Sequence, residues 1–327
     1  MTPALGRTSV IMLFLGALLL TSCSTPVGVD EVTARKAYQT AYANPLGAGV
    51  LSDQAKYVLN RYGLLNPFQK DPAKAIADLH DQALHDDRRD ILYALAEVSY
   101  LHASHLADDR RESEQKLAPG YFPLSVLYSY YFSLEEGSGP APTLFDQRSR
   151  NALDLYNFGL WQGITAGAEH RLMLQGMATY KLPLGQITVT LDASHLPWDI
   201  KGFDRFEPAD KFAVGGVSVL NRTAGIGLPL VGVRKKSGKA PNQAVAVTAF
   251  LRIQGGIASL DAGTATASLE LYSARDTRTV EVEDRTLPLE TDTTTPLAYQ
   301  LEGAKIWSLG FSTFLGKENT RFPTVCI

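Results

Sequence analysis

A serine nucleophile in an α/β scaffold sits on a strained strand-to-helix turn with a glycine two residues to either side, the G-x-S-x-G pattern. Gly216-Val217-Ser218 and Gly310-Phe311-Ser312 begin it, but Leu220 and Phe314 stand where the second glycine belongs. Ser218 and Ser312 therefore read as strand residues. His195 is the only histidine beyond residue 182, so a base for either serine is hard to supply. His102 and His105 lie three apart on a predicted helix, one turn from Glu97 and close to Asp108 and Asp109. Two imidazoles on one face with a carboxylate are the ingredients of a zinc site, which makes this pair the metal candidate. The spacing lacks an H-E-x-x-H pair, and His102 continues an apolar stripe, where a hydrogen-bonded border histidine is the commoner outcome. His80 and His85, flanked by Asp81, Asp86 and Asp87, have no better claim.

Asp192, Asp199, Asp204, Glu207 and Asp210 crowd one stretch with Trp198, Phe203 and Phe206. Paired carboxylates beside aromatics can line a glycosidase cleft, but a loop of solvated charges anchored by its aromatic rings is the simpler reading. Gly225-Ile226-Gly227-Leu228-Pro229 is glycine-rich, yet neither G-x-x-x-x-G-K-[ST] nor G-x-G-x-x-G is present, so its glycines serve a backbone turn. Arg234 to Lys239 forms a basic loop that reads as exposed, with anionic lipid as a minor alternative. None of these patterns calls for a cofactor.

The elements that must position these residues fall into two halves. From about Asp30 to Met177 the apolar spacing is helical: Ala55, Val58, Leu59 and Tyr62 fall at i, i+3, i+4 and i+7, and Gly63 stops the run. Asp71-Pro72 predicts a cap followed by a proline in the first turn, and Ile76, Leu79, His80 and Ala83 repeat the stripe. Ile91, Leu95, Val98 and His102 carry it again. Tyr121 to Leu134 is apolar on every side and should be buried. Gly137 to Pro142 reads as a connecting loop.

Near Pro183 the period changes to two, in Ile187, Val189 and Leu191, in Val245 to Ile253, and in Ala265 to Leu271. Val280 with Val282, and Trp307 with Leu309 and Phe311, add shorter runs. The expected class is α+β: an all-helical domain of α-hairpins, loosely like a tetratricopeptide array but without a fixed period, then an antiparallel β-sandwich-like domain. The boundaries expected are 1–22, 23–182 and 183–327.

Residues 1–22 have a character of their own. One charge, Arg7, precedes the apolar run Val10 to Leu20, which is too short for a stable span and fits a secretory signal. The run ends in Leu20-Thr21-Ser22-Cys23, which matches a bacterial lipobox. The match implies cleavage before Cys23 and acylation of its thiol and new amine. Several acyl chains anchor far more firmly than one, so a bilayer is the expected partner. Ser24, where aspartate would retain the protein in the inner membrane, points to the outer membrane facing the periplasm. Cys326 is then the only free thiol and has no structural role that the sequence suggests.

The chain has 327 residues, 45% hydrophobic and 20% charged, with a net charge of −3. These values exclude a disordered polymer and a multi-span membrane protein, and they provide no electrostatic footprint for nucleic acid. Two cysteines cannot build a disulfide framework.

Several stretches taken in order carry a resemblance: Asp71 to His80, Ile91 to Glu97, Ala152-Leu153-Asp154-Leu155-Tyr156-Asn157, Leu220-Asn221-Arg222-Thr223-Ala224-Gly225-Ile226-Gly227-Leu228-Pro229-Leu230, and Thr293 to Leu301. Together they resemble the N-terminal half of a family of bacterial lipoprotein esterases of the α/β-hydrolase fold, over most of residues 30–302. In that family the hydrolase domain follows, so the resemblance carries no catalytic residue onto this chain. Arg321 to Ile327 would then suit a truncated or frameshifted reading frame. The expected function is an accessory module that positions, or presents substrate to, a serine hydrolase. The alternative is a free-standing envelope scaffolding lipoprotein with a protein partner.

Overall fold

The computed structural model describes residues 28–135, 142–143, 145–164, 176–235 and 243–302. The chain divides into a short unit ending at Ala41 and a large one from Tyr42 onward. The first contains α1 (Ala34–Ala41), whose first turn is capped where Thr33 Oγ1 accepts from Lys36 N at 3.3 Å.

In the large unit, local chemistry sets the helix ends. Asn44 caps α2 (Pro45–Ala48), and Ser52 caps α3 (Asp53–Arg61), its Oγ accepting from Ala55 N at 3.2 Å. Gly63, at φ 71°, ends that run in the left-handed conformation that glycine adopts freely. After α4 (Leu65–Lys70), Asp71 caps α5 (Pro72–Ala83) through a 3.1 Å bond from Lys74 N, with Pro72 in the first turn. The long helices follow: α6 (Arg89–Ala107), the single turn α7 (Glu112–Gln115), α8 (Ala118–Leu134) and α9 (Gln147–Ile164).

The stripes expected from spacing face inward. Ala55, Val58 and Leu59, then Ile76, Leu79 and His80, then Ile91, Leu95 and Val98 are all buried. Helix α8 is buried on nearly every side, with Tyr128, Tyr131 and Phe132 almost wholly enclosed, as expected for a helix that has no polar face.

The strands are β1 (Met177–Lys181), β2 (Gln186–Asp192), β3 (Phe203–Pro208), β4 (Arg222–Thr223), β5 (Leu228–Arg234), β6 (Ala244–Gln254), β7 (Ala265–Ser273), β8 (Thr279–Val282), β9 (Arg285–Pro288) and β10 (Thr291–Asp292). Helix α10 (Ile257–Asp261) joins β6 to β7, and α11 (Thr294–Leu301) follows β10. Six strands form one sheet in the order β1-β2-β7-β6-β5-β3, while β4 pairs with β10 and β8 with β9.

The fold is α+β, but the large sheet is mixed where an antiparallel one was expected. Four of its neighbouring pairs are antiparallel, and β2 runs parallel to β7, with Ile187 opposite Ala265 and Asp192 opposite Glu270. Local alternation reports that a strand exists but not which distant strand lies beside it. Residue 182 falls between β1 and β2. The helices after residue 42 and the sheet share one apolar core, in which Val126 and Leu160 pack with Ile187, Leu251 and Leu269.

No helix among the described residues is long and apolar enough to cross a membrane. Cys23, residues 1–22, Gly137 to Ala141, Trp307 to Ser312 and Cys326 lie outside the described residues.

Candidate functional site

Helical spacing puts Arg150, Asp154 and Asn157 of α9 at i, i+4 and i+7, on one face. That face meets the loop before β5 and the residue before β10. Asn157 is 4% exposed and fully engaged. Its Nδ2 donates to Gly225 O at 3.0 Å and to Glu290 Oε2 at 2.8 Å, and its Oδ1 accepts from Gly227 N at 2.7 Å. Gly227 has φ 109°, and a Cβ there would lie 2.8 Å from Thr248 Cγ2 and 2.9 Å from Ala249 O. A Cβ on Gly225 would lie 2.3 Å from Pro288 O. The glycines are thus required by backbone packing, in keeping with the turn expected for them.

A polar ring surrounds this joint. Arg222 donates to Asp210 Oδ1 at 2.6 Å and lies 3.6 Å from Asp292 and 3.8 Å from Glu290. Asn221 Nδ2 donates to Thr293 Oγ1 at 2.9 Å, and Asn221 N to Thr294 Oγ1 at 2.7 Å. Just before α11, the Asp292 carboxylate accepts from Thr294 N, Thr295 N and Thr295 Oγ1. Burial raises the pKa of both Glu290 and Asp154, against the opposing pull of Arg150. Asp154 is also held by Arg150 at 2.5 Å, and Glu290 accepts from Asn157, so each carboxyl has a protein partner. With their polar atoms turned toward protein partners, they act as a joint between α9 and the strands.

The other predicted residues are placed elsewhere. His102 is half-buried against the Tyr121 ring, with centroids 4.5 Å apart and edge-on. Burial, assisted by the nearby His105, lowers its pKa to about 4. His105 is exposed. Among the described residues no group of three or more His, Cys, Asp or Glu side chains is arranged to hold a metal. His80 is buried, with Nδ1 hydrogen-bonded to Tyr128 Oη at 2.8 Å, and burial lowers its pKa. His85 Nδ1 lies 2.8 Å from Asp81 O.

Ser218 is exposed in a loop, and not in the strand expected for it, because the glycine pair Gly215-Gly216, with Gly216 at φ 79°, interrupts the extended chain. The acidic stretch is neutralised locally. Asp199 caps a short turn through Lys201 N, Asp204 pairs with Arg205, Glu207 with Arg205 and Lys211, and Asp210 with Arg222. Trp198 and Phe203 anchor this loop edge-on at 6.1 Å, with the Arg234 guanidinium over both rings.

Two polar clusters escape notice in the sequence. On one side of the sheet, Arg252 grips Glu270 through Nε at 2.6 Å and Nη2 at 3.1 Å, Tyr272 Oη donates to the same carboxylate at 2.6 Å, and the His195 ring stacks on Tyr272 at 4.5 Å. The period-two positions Arg252, Glu270 and Tyr272 were the available signal. In the helices, Glu97 is wholly buried and accepts from Ser52 N at 2.8 Å and from Tyr93 Oη. Beside Tyr93 an open cleft of about 420 Å³ is lined by Asp53, Tyr57, Asp90 and Arg148.

No protein-family model, curated protein or solved structure matches this chain.

Proposed function

We propose that this protein is a lipid-anchored component of a bacterial cell envelope, acylated at Cys23 and facing the periplasm from the outer membrane. Its helices and sheet form a non-catalytic module that positions, or presents substrate to, an esterase of the α/β-hydrolase type. The observation that carries this reading is the joint at Asn157. Three segments behind the family resemblance, Ala152 to Asn157, Leu220 to Leu230 and Thr293 to Leu301, are far apart in the chain and meet there. The joint has the character of a scaffold: the Asn157 amide and two glycines lock α9 to the strands.

The test uses the full chain isolated from its membrane and treated with a fluorophosphonate serine probe. This reading expects label on a copurifying polypeptide and none on this chain. Label on this chain itself overturns the accessory role. Palmitate incorporation that persists after Cys23→Ser overturns the anchor.

A second reading, a free-standing binding lipoprotein with an α-hairpin recognition surface, draws on the open cleft between α3, α6 and α9. It expects no labelled partner at all.

A further inference from the structure

The apolar core is incompletely filled where α8 and α9 lie over the sheet. A cavity of about 60 Å³ remains there, walled by Val126, Leu160, Ile187, Val189, Leu251 and Leu269. By the measure in which one water needs roughly 10–15 Å³, this space has room for several. A buried water also needs two to four polar partners, and those six walls are hydrocarbon. Among the described residues of the lining, Tyr180 provides the one side-chain polar atom, and it is 43% exposed on the edge strand β1.

The cavity cannot easily collapse. Gly159 and Gly163 already bring α9 against α8, so that a Cβ on Gly159 would lie 2.9 Å from Val126 Cγ2 and one on Gly163 would lie 3.0 Å from Pro123 Cγ. An apolar space with a phenol at its rim suits a molecule with a hydrocarbon end and a polar end.

We propose that this cavity is an acyl-chain subsite. It takes the terminal carbons of a fatty acid or of a phospholipid chain, with the carboxyl or ester left toward Tyr180. The inference rests on the envelope reading above, which places the protein among such chains, and it names the substrate class that the module would present.

Cells making the full chain are fed a long-chain fatty acid that carries a diazirine near its methyl end, then irradiated, and the adducts are mapped by mass spectrometry. Adducts are expected on the peptides that contain Val126, Leu160 or Val189. Their mass separates a free fatty acid from an intact phospholipid, and either supports the subsite. Adducts absent from these peptides overturn it, and so does a link from them to the acylated Cys23 peptide, which would make the protein's own anchor the occupant. Val189→Trp fills the space and should lower these adducts about tenfold, by removing the apolar burial that holds the chain; unchanged labelling in a folded variant overturns the proposal. The wild-type map decides by itself if that variant does not fold. Because the assay involves no hydrolase, a mapped adduct without a probe-labelled partner sinks the accessory role alone, and the converse sinks the subsite alone.

Discussion

The helical part and the strand-rich part bury carboxylates in opposite ways. Glu97, in the helices, is wholly enclosed without a salt bridge, and its partners are the backbone N–H of Ser52 and the hydroxyl of Tyr93. Burial raises its pKa, against the opposing effect of those two hydrogen bonds. Glu270 and Glu207, on the strands, are nearly as buried, but Arg252 holds the first, and Arg205 with Lys211 the second. At Glu207 burial pulls the pKa up and the two cations outweigh it, leaving the value lowered. The difference follows from the elements. A strand alternates its side chains, so an arginine two positions along or across stays at the sheet surface and reaches a neighbouring acid. A helix packed on all sides has no such rim, and hydroxyls and backbone donors must serve instead.

The largest test of this contrast is Arg252→Met. Removing the cation strands the Glu270 carboxylate, and loss of one partner of a buried pair costs about 3 kcal/mol, read as a fall in the urea midpoint. A change below about 0.5 kcal/mol would mean that water already screens the pair.

Next is Asn157→Ala at the joint between the two parts. It leaves Gly227 N–H and Gly225 C=O without their partner, for about 2 kcal/mol. Asn157→Asp should be worse near neutral pH than at pH 4, because a second carboxylate then faces Glu290. Thermal unfolding across pH measures both.

The smallest effect in magnitude is the sharpest in sign. The folded pKa of Glu97 lies above its unfolded value, so its neutral form contributes stability below the unfolded pKa, and that contribution is lost as pH rises through the folded value. Glu97→Gln should cost less than about 1 kcal/mol near pH 4.5 and should gain on the wild type as pH increases. Glu207 has the opposite sign: its contribution is present above the unfolded pKa and is lost as pH falls through the lowered folded value. Glu207→Gln should therefore be harmful at neutral pH and lose its penalty in acid. Parallel pH profiles for the two variants would abolish the distinction between the two parts.

Much of the fold is legible in the residues themselves. The stripe Ala55, Val58, Leu59 and the alternation in Val245 to Ile253 each depend only on neighbours within a turn or a pleat, and the caps at Ser52 and Asp71 are side chains bonding their own backbone. The joint is legible only in fragments. Asn157 stands out as an amide in the apolar run Leu155-Tyr156-Asn157-Phe158, and Gly225 with Gly227 signals a close approach, but nothing in either segment says that they meet. The same holds for Tyr156, whose hydroxyl donates to Leu251 O at 2.8 Å and accepts from Leu251 N at 2.7 Å across 95 residues.

Residues a few positions apart set the helical and extended periods, their caps and stops, the class α+β, and the Cys23 motif on which the anchor proposal stands. Long-range packing set the rest: β2 lies parallel to β7, Asn157 closes on two glycines, Glu97 is enclosed without a cation while Glu270 has one, and a space remains between α8, α9 and the sheet. Those outcomes depend on which distant surfaces bury each other, and the free energy of that choice is shared across the whole core rather than written in any one segment.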